Sequence, residues 1–155
     1  MILYLGTTSL VKLYLDEPHS DAMRDWAKVA DMLATCRSAF TEVMSAIDQR
    51  LRNNDLSKKD YDTFVKQFSE DWAHFVKIDF NDVEAGEFVK KYGLTRFGAI
   101  HLSAAKLITE EQRKLMPLFR KTYKDQNEIS LFFASSDEAL CKAAAAEGLK
   151  VLPLG

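Results

Sequence analysis

The chain opens with a short apolar run, and apolar residues return at helical spacing soon after it. Ile2–Leu5 shows no polar alternation, which is typical of a strand buried on both faces. Gly6 ends the run, and residues 7–9, Thr-Thr-Ser, can cap a helix. The apolar residues at helical spacing are Leu10, Val11, Leu13 and Tyr14. A strand, a small-residue turn and a helix begin a βαβ unit. Ligands of such sheets bind beyond the carboxyl ends of the strands, so residue 6 lies where a functional site is expected.

Apolar runs and amphipathic stretches alternate along the rest of the chain. Four further runs predict strands at residues 32–35, 75–78, 129–134 and 151–152. Helices are predicted between them, with N-terminal caps at Ser20, Ser38, Ser57, Asn81, Thr109 and Ser135. Strands that alternate with helices predict an α/β fold, with a five-stranded, mainly parallel sheet covered by helices on both faces. Since no linker, repeat or low-complexity segment interrupts the pattern, residues 1–155 are expected to form a single domain.

Two stretches of the sequence allow both a structural and a functional interpretation. The stripe of aromatic residues on the predicted fourth helix favours the core or a dimer interface over a platform for stacking bases: Tyr61, Phe64, Phe68 and Trp72. The charged segment 120–128 predicts a solvated connection rather than a phosphate-binding patch.

Composition narrows the class of protein without identifying a function. The chain is 47% hydrophobic and 28% charged, which is typical of a soluble globular protein. The net charge of −2 does not indicate a nucleic-acid binder, although a basic patch is compatible with it. No apolar run approaches the ~20 residues that span a bilayer, and no signal-peptide pattern precedes the first strand. Cys36 and Cys141 are isolated, which favours buried, reduced thiols and the cytoplasm.

Several well-known site motifs are absent from the sequence. There is no G-x-G-x-x-G fingerprint, no phosphate-binding P-loop and no G-x-S-x-G nucleophile turn. Residues 6–9 could bind an anion at a helix N-terminus, but an ordinary capped turn is the commoner explanation. A receiver-like domain would need carboxylates at the end of the first strand, where this chain has none.

Four short motifs stand in order along the chain. They contain Gly6 in Tyr-Leu-Gly-Thr-Thr, Glu42 in Ser-Ala-Phe-Thr-Glu-Val, Gly98 in Phe-Gly-Ala-Ile-His-Leu, and Asp137 in Ser-Ser-Asp-Glu-Ala-Leu. In these motifs the chain resembles the PIN-domain family, in particular the VapC-type toxins of prokaryotic toxin–antitoxin pairs. The resemblance covers nearly the whole chain and implies a PIN-like three-layer α/β/α fold. Residues 109–128 look longer than the corresponding segment of many family members.

The resemblance implies a metal-dependent endoribonuclease whose carboxylates hold Mg²⁺ or Mn²⁺ at the carboxyl edge of the sheet. Hard divalent cations take oxygen ligands, and a bound metal activates water and stabilises phosphate oxygens during in-line displacement. Glu42 and Asp137 match the family's acids, so the resemblance implies catalytic and metal-binding roles for both. Thr7, Thr8 and Ser136 are candidates on the substrate side. The implied partners are RNA of the tRNA or rRNA class, a small antitoxin protein and a second copy of the chain, with no membrane.

The chain departs from the family pattern at two of the four positions. Gly6 and Gly98 stand where the family has aspartate, and glycine offers no side-chain ligand. Asp16, Glu17 and Glu138 are other acids near the motifs, but the pattern places none of them as a ligand. Since loss of even a supporting residue typically costs ~10–100-fold in metal affinity or activity, this chain is expected to be inactive or weakly active and to bind metal weakly or not at all.

The individual residues also have simpler interpretations. A helical glutamate such as Glu42 is usually solvated, Asp137 could be a helix cap, and His101 on an apolar helix is more often a packing residue than a catalyst. For the whole chain, one alternative is a natural non-catalytic PIN-fold binding or regulatory module. Another is an active toxin that was inactivated by design or by selection. A receiver-like or flavodoxin-like binding domain is the remote alternative.

Overall fold

A computed structural model of the chain describes residues 1–122, 130–152 and 154. Five strands alternate with seven helices over these residues: β1 (Ile2–Leu5), α1 (Thr7–Tyr14), α2 (Ser20–Val29), β2 (Met32–Cys36), α3 (Ala39–Arg52), α4 (Lys58–Trp72), β3 (Val76–Ile78), α5 (Asp82–Tyr92), α6 (Arg96–Thr122), β4 (Leu131–Ala134), α7 (Glu138–Ala146) and β5 (Lys150–Val151). Each of the five predicted strands is present, with small shifts at the ends. Most of the predicted solvated connection at residues 120–128 lies outside the described residues.

The sheet is entirely parallel, with the strand order β3-β2-β1-β4-β5. β1 is central: Leu3 pairs with Leu33 of β2 on one side and with Phe132 of β4 on the other. The chain moves outward in one direction through β2 and β3, and in the other through β4 and β5. The carboxyl ends of β1 and β4 therefore flank the topological switch point, where open α/β sheets bind ligands.

This topology confirms the predicted α/β class and excludes the alternative of a receiver-like or flavodoxin-like domain. Flavodoxin-like and receiver domains have the strand order 2-1-3-4-5. The observed order is 3-2-1-4-5, in which β1 rather than β3 neighbours β4. The described chain also has no helix long and apolar enough to cross a membrane.

Two apolar cores cover the two faces of the sheet, as the continuous apolar run of β1 predicts. Ile2 and Tyr4 belong to the core formed with α5, α6 and α7, whereas Leu3 and Leu5 belong to the core formed with α1, α2, α3 and α4. Alternate side chains of a strand point to opposite faces, so both faces of β1 are buried. The result is a PIN-like three-layer α/β/α arrangement.

The aromatic stripe of α4 belongs to the second of these cores. Phe64 and Phe68 are fully buried, and Phe68 stacks on Phe40 with a centroid separation of 5.2 Å. Tyr61 and Trp72 are half-buried and pack against the same cluster. The core interpretation of the stripe is therefore confirmed for its two phenylalanines.

Helix caps were predicted with mixed success. Ser57 and Asn81 accept hydrogen bonds from the N–H groups of Asp60 and Glu84, as expected. Ser20, however, is the first residue of α2, and its hydroxyl donates to the carbonyl of Leu15 over a distance of 2.7 Å. The tight turn before α2 uses the hydroxyl for a loop contact, so the cap position falls one residue earlier.

Two further cap predictions were wrong. Asp137 rather than Ser135 caps α7, because its carboxylate accepts the N–H of Leu140. Thr109 does not begin a helix, since α6 runs unbroken from Arg96 to Thr122. The Thr109 hydroxyl donates to the carbonyl of Ala105 at 3.2 Å, four residues earlier in the same helix. Threonine often bonds this way inside helices, which makes capping-box spacing ambiguous in an apolar helical stretch.

Candidate functional site

The four motif positions meet in one pocket at the carboxyl edge of the sheet. Gly6, Glu42, Gly98 and Asp137 all line this pocket, which has a volume of about 330 Å³. Gly6 follows β1 directly, Glu42 lies in the first turn of α3, Gly98 lies in the first turn of α6, and Asp137 follows β4. The parallel topology brings Gly6, Glu42 and Asp137 together, because it places the ends of β1, β2 and β4 at one edge, and the N-terminus of α6 adds Gly98 to this group.

Glu42 is buried and fully engaged in hydrogen bonds. Its Oε1 accepts a hydrogen bond from the hydroxyl of Ser38 at 3.0 Å. Its Oε2 accepts one from the hydroxyl of Thr7 at 2.6 Å and lies 2.7 Å from Nε2 of His101. Burial by itself would raise the pKa of Glu42, but the hydrogen bonds and the charge of His101, with the two hydroxyls, lower it. Glu42 is therefore an ionised carboxylate at neutral pH.

His101 connects Glu42 to the central strand. Its Nδ1 lies 2.8 Å from the phenolic oxygen of Tyr4, and its side chain is 2% exposed. An ionised Glu42 can only accept, so Nε2 of His101 carries the ring hydrogen and donates to it, which leaves Nδ1 as the acceptor for the Tyr4 hydroxyl. Burial raises the pKa of Tyr4 well above its ordinary value, so the phenol has the hydrogen that this bond requires. A continuous chain of hydrogen bonds thus runs from β1 through α6 to α3.

Asp137 is both a pocket-lining residue and a helix cap. Its Oδ1 accepts the N–H of Leu140 at 3.1 Å, and its own N–H donates to the hydroxyl of Ser135 at 3.1 Å. A carboxylate at this position also interacts favourably with the positive end of the helix dipole. The simpler interpretation of Asp137 as a cap is confirmed.

Neither pocket glycine is required by the backbone. Gly6 has φ −74° and ψ 173°, an extended conformation that any residue adopts. A Cβ added to Gly6 would lie 3.6 Å from the carbonyl oxygen of Ala134, an ordinary contact. A Cβ on Gly98 would lie 3.3 Å from Oγ1 of Thr95, so that hydroxyl would move by a few tenths of an ångström. The pocket therefore has room for a side chain at both positions.

The substrate-side candidates lie at or beside the pocket. Thr7 and Thr8 line it, whereas Ser135 rather than Ser136 forms its wall. Ser136 is exposed, and its N–H donates to the hydroxyl of Thr8 at 3.0 Å. Phe97 also lines the pocket and is 45% exposed. The role of each as a substrate contact stays a prediction.

The residues present do not fit a resident divalent metal. Within the described part of the chain, no group of three or more histidine, cysteine or acidic residues is placed to hold a metal ion. Glu42 has partners on both oxygens, and one oxygen of Asp137 is committed to capping α7. Two engaged carboxylates do not form the oxygen shell that Mg²⁺ requires.

The three other acids near the motifs are engaged elsewhere. Asp16 pairs with Arg24 at 2.8 Å, Glu17 with Lys12 at 2.9 Å, and Glu138 with Lys142 at 3.1 Å. None of these acids lines the pocket of Gly6 and Glu42. They therefore add no carboxylate to this pocket.

Sequence reasoning missed how the pocket is held together. His101 is a satisfied packing residue, as its apolar helix suggests, but its direct contact with Glu42 was not predicted. Tyr4 was assigned only to a buried strand, although a phenol in a fully buried run needs a partner for its hydroxyl. Pairing the one polar group of β1 with the one histidine of the apolar helix would have pointed to this contact.

Comparisons with known proteins support the fold. Solved structures that resemble the chain include PAE2754 from Pyrobaculum aerophilum and FitAcB from Neisseria gonorrhoeae. The first has a TM-score of 0.60 and 15% identity, over 97% of this chain and 87% of the other. The second has a TM-score of 0.60 and 12% identity, over 99% and 98%. No family model and no curated protein sequence matches the chain. At this level of identity the likeness shows a shared PIN-like fold.

Proposed function

We propose that this chain descends from VapC-type PIN-domain endoribonucleases dependent on Mg²⁺ or Mn²⁺, and that its catalysis is impaired. The observation that carries the proposal is the meeting of Gly6, Glu42, Gly98 and Asp137 in one pocket. The resemblance assigns an acid to each of these four positions, and their common location in one pocket supports the proposal. Two of the four are glycine, and the loss of ligand oxygens accounts for the impairment.

The remaining polar groups define what the pocket of this chain can do. Glu42 is held by hydrogen bonds from Thr7, Ser38 and His101, so it orients the walls of the pocket. The hydroxyls of Thr8 and Ser135 accept backbone N–H groups, which leaves their hydrogens able to donate to a phosphate or ribose oxygen. The chain therefore offers a site for contacting RNA without an activated nucleophile.

The proposed lineage also implies the binding partners and the cellular location of the chain. The chain would form one domain over residues 1–155, pair with a small antitoxin protein, form a homodimer and act in the cytoplasm on RNA of the tRNA or rRNA class. A pull-down against a cognate antitoxin and light scattering of the purified protein test the two protein contacts separately.

Cleavage of RNA is the test of the proposed activity. A pool of total tRNA and rRNA is incubated with Mg²⁺ or Mn²⁺ and either the chain as it stands or the G6D/G98D variant, with an EDTA control. We expect cleavage by the double variant and little or none by the unaltered chain. The neutral variant G6N/G98N has similar bulk and should stay inactive. A folded G6D/G98D that cleaves no RNA would contradict the lineage proposal.

A natural binding or regulatory module is the second candidate. It is favoured by the complete hydrogen bonding of Glu42, because the buried carboxylate is satisfied without a metal. Such a module would bind RNA or an antitoxin with the same affinity with and without divalent cations. The genomic codons at positions 6 and 98 distinguish it from a toxin inactivated by design or selection, since aspartate and glycine codons differ by one base.

A further inference from the structure

One carboxylate oxygen of Glu42, Oε2, already has two protein partners. Oε2 is 2.6 Å from the hydroxyl of Thr7 and 2.7 Å from Nε2 of His101. Oε1 takes a third hydrogen bond from Ser38. A carboxylate offers about four lone-pair sites, so three protein donors leave little capacity for another partner. Oε2, whose partners Thr7 and His101 both line the pocket, has both lone-pair sites occupied, so a cation that binds this oxygen has to displace one of them.

The imidazole of His101 is also held by a hydrogen bond at the ring nitrogen that does not contact Glu42. Its Nδ1 is bound by Tyr4, which is fully buried in the central strand and stacks on Phe133 with a centroid separation of 5.4 Å. His101 itself is 2% exposed on α6. Both ring nitrogens therefore have hydrogen-bond partners, which fix the orientation of the ring. The contact with Glu42 is therefore built into the core.

We propose that His101 is a positioning residue that holds Glu42 and thereby lowers the affinity of the pocket for a divalent cation. The hydrogen bonds from His101 and Thr7 then supply the stabilisation that a cation would give to Glu42. This inference rests on the proposed lineage, because it assumes that the pocket derives from a metal site. It adds a second barrier to metal binding, distinct from the two glycines: restored aspartates would still compete with His101 for the use of Glu42.

Titration calorimetry with Mn²⁺ alone tests this barrier in three proteins. The first is G6D/G98D, the second adds His101→Leu, and the third adds His101→Gln, whose amide can still donate to Glu42. We expect weak binding by the double variant and about tenfold tighter binding by the leucine variant, the lower end of the effect of residues that support a ligand. The glutamine variant should match the double variant, since it keeps a donor to the carboxylate.

The outcomes separate this inference from the proposed lineage. Equal Mn²⁺ affinity with leucine and with histidine at position 101 would overturn the role of His101 and leave the lineage intact. Tighter binding by the glutamine variant as well would also overturn it, because the hydrogen bond would then not be the cause. Absence of Mn²⁺ binding in all three folded proteins would overturn both proposals.

A spectroscopic measurement covers the case in which the leucine variant does not fold. The buried Nε2 hydrogen of His101 should give a slowly exchanging downfield proton signal in G6D/G98D. Saturating Mg²⁺ should abolish or strongly shift that signal, since the cation and the imidazole compete for Oε2. A signal unchanged at a Mg²⁺ concentration that raises the melting temperature would overturn the inference.

Discussion

Nε2 of His101 lies 2.7 Å from Oε2 of Glu42, although 59 residues separate the two along the chain. The contact joins α6 to α3 across the carboxyl edge of the sheet. It also explains how an ionised carboxylate is tolerated in a buried position, because a buried charge is strongly destabilising unless it is paired and hydrogen-bonded. The stability of the fold should therefore depend on this site.

Replacing Glu42 tests that dependence through pH. The pKa of Glu42 in the folded protein is lower than its unfolded value of 4.5. Glu42 therefore stabilises the fold above pH 4.5, and this stabilisation is lost as the pH falls through the folded pKa. We expect Glu42→Gln to reduce stability by about 1–3 kcal/mol at pH 7. The difference between variant and unaltered chain should shrink as pH falls below 4.5. Urea unfolding at pH 7 and at successively lower pH measures this difference, and a difference independent of pH would contradict a stabilising role for the ionised carboxylate.

Removing the phenolic hydroxyl of Tyr4 tests the other end of the chain of hydrogen bonds. Tyr4→Phe keeps the stacked ring and leaves Nδ1 of His101 without its buried partner. The expected loss is about 1–3 kcal/mol, the cost of an unsatisfied buried group. Tyr61→Phe on the half-buried face of α4 is the matched control and should change stability by less than about 0.5 kcal/mol. Equal effects in the two variants would argue against a special role for the Tyr4 hydroxyl.

Glu147, which lies outside the pocket, makes a second pH-dependent contribution to the stability of the fold. It accepts hydrogen bonds from Tyr92, Lys106 and Lys91, and these lower its pKa to about 2, against the cost of desolvation. A lowered pKa means that the stabilisation is present above pH 4.5 and disappears as pH falls towards 2.

We expect Glu147→Gln to destabilise by about 1–2 kcal/mol at neutral pH after screening by solvent, and by much less near pH 2. The exposed Glu138, which pairs with Lys142 on one helix, gives the control Glu138→Gln, expected to cost less than about 0.5 kcal/mol. Thermal melting over this pH range gives both values. A Glu147→Gln effect as small as the control would show that the cluster contributes little.

The pocket glycines should accept small side chains. Gly6→Ala meets only ordinary contacts, so we expect a stability change within about 0.5 kcal/mol. Gly98→Ala gains helix propensity of up to about 1 kcal/mol, offset by the 3.3 Å approach to Thr95. Chemical denaturation of each variant checks both values. A loss of more than about 2 kcal/mol of stability in either variant would mean that the packing of the pocket requires glycine.

The strands were predictable because each coincides largely with a short, mostly apolar segment, and the sheet follows from their alternation with helices. β1 is the clearest case: its four residues carry no polar alternation, and both of its faces are buried. The helix caps were less predictable. Ser20, Thr109 and Ser135 have the right chemistry, yet their hydroxyls form loop, mid-helix and backbone contacts that depend on the folded geometry.

The candidate site was also predictable only in part. Gly6, Glu42 and Asp137 come after the ends of β1, β2 and β4, so their meeting could be predicted from the strand pattern. Gly98 could be placed with them only through the family resemblance, because α6 follows α5 and not a strand. The hydrogen bonds of Tyr4 and His101 could not be predicted, because they depend on which face of β1 meets which face of α6. Such pairings across layers are fixed by the packing of the whole domain.

Thermal melting of G6D/G98D with and without Mg²⁺ tests the central claim most directly. A cation that binds only the folded state stabilises it by about 2.7 kcal/mol at a hundredfold excess over its Kd. We predict a melting temperature that rises with Mg²⁺ in G6D/G98D, little rise in either single variant, and none in G6N/G98N or the unaltered chain. An equal rise in the unaltered chain, or no rise in a folded G6D/G98D, would contradict the account.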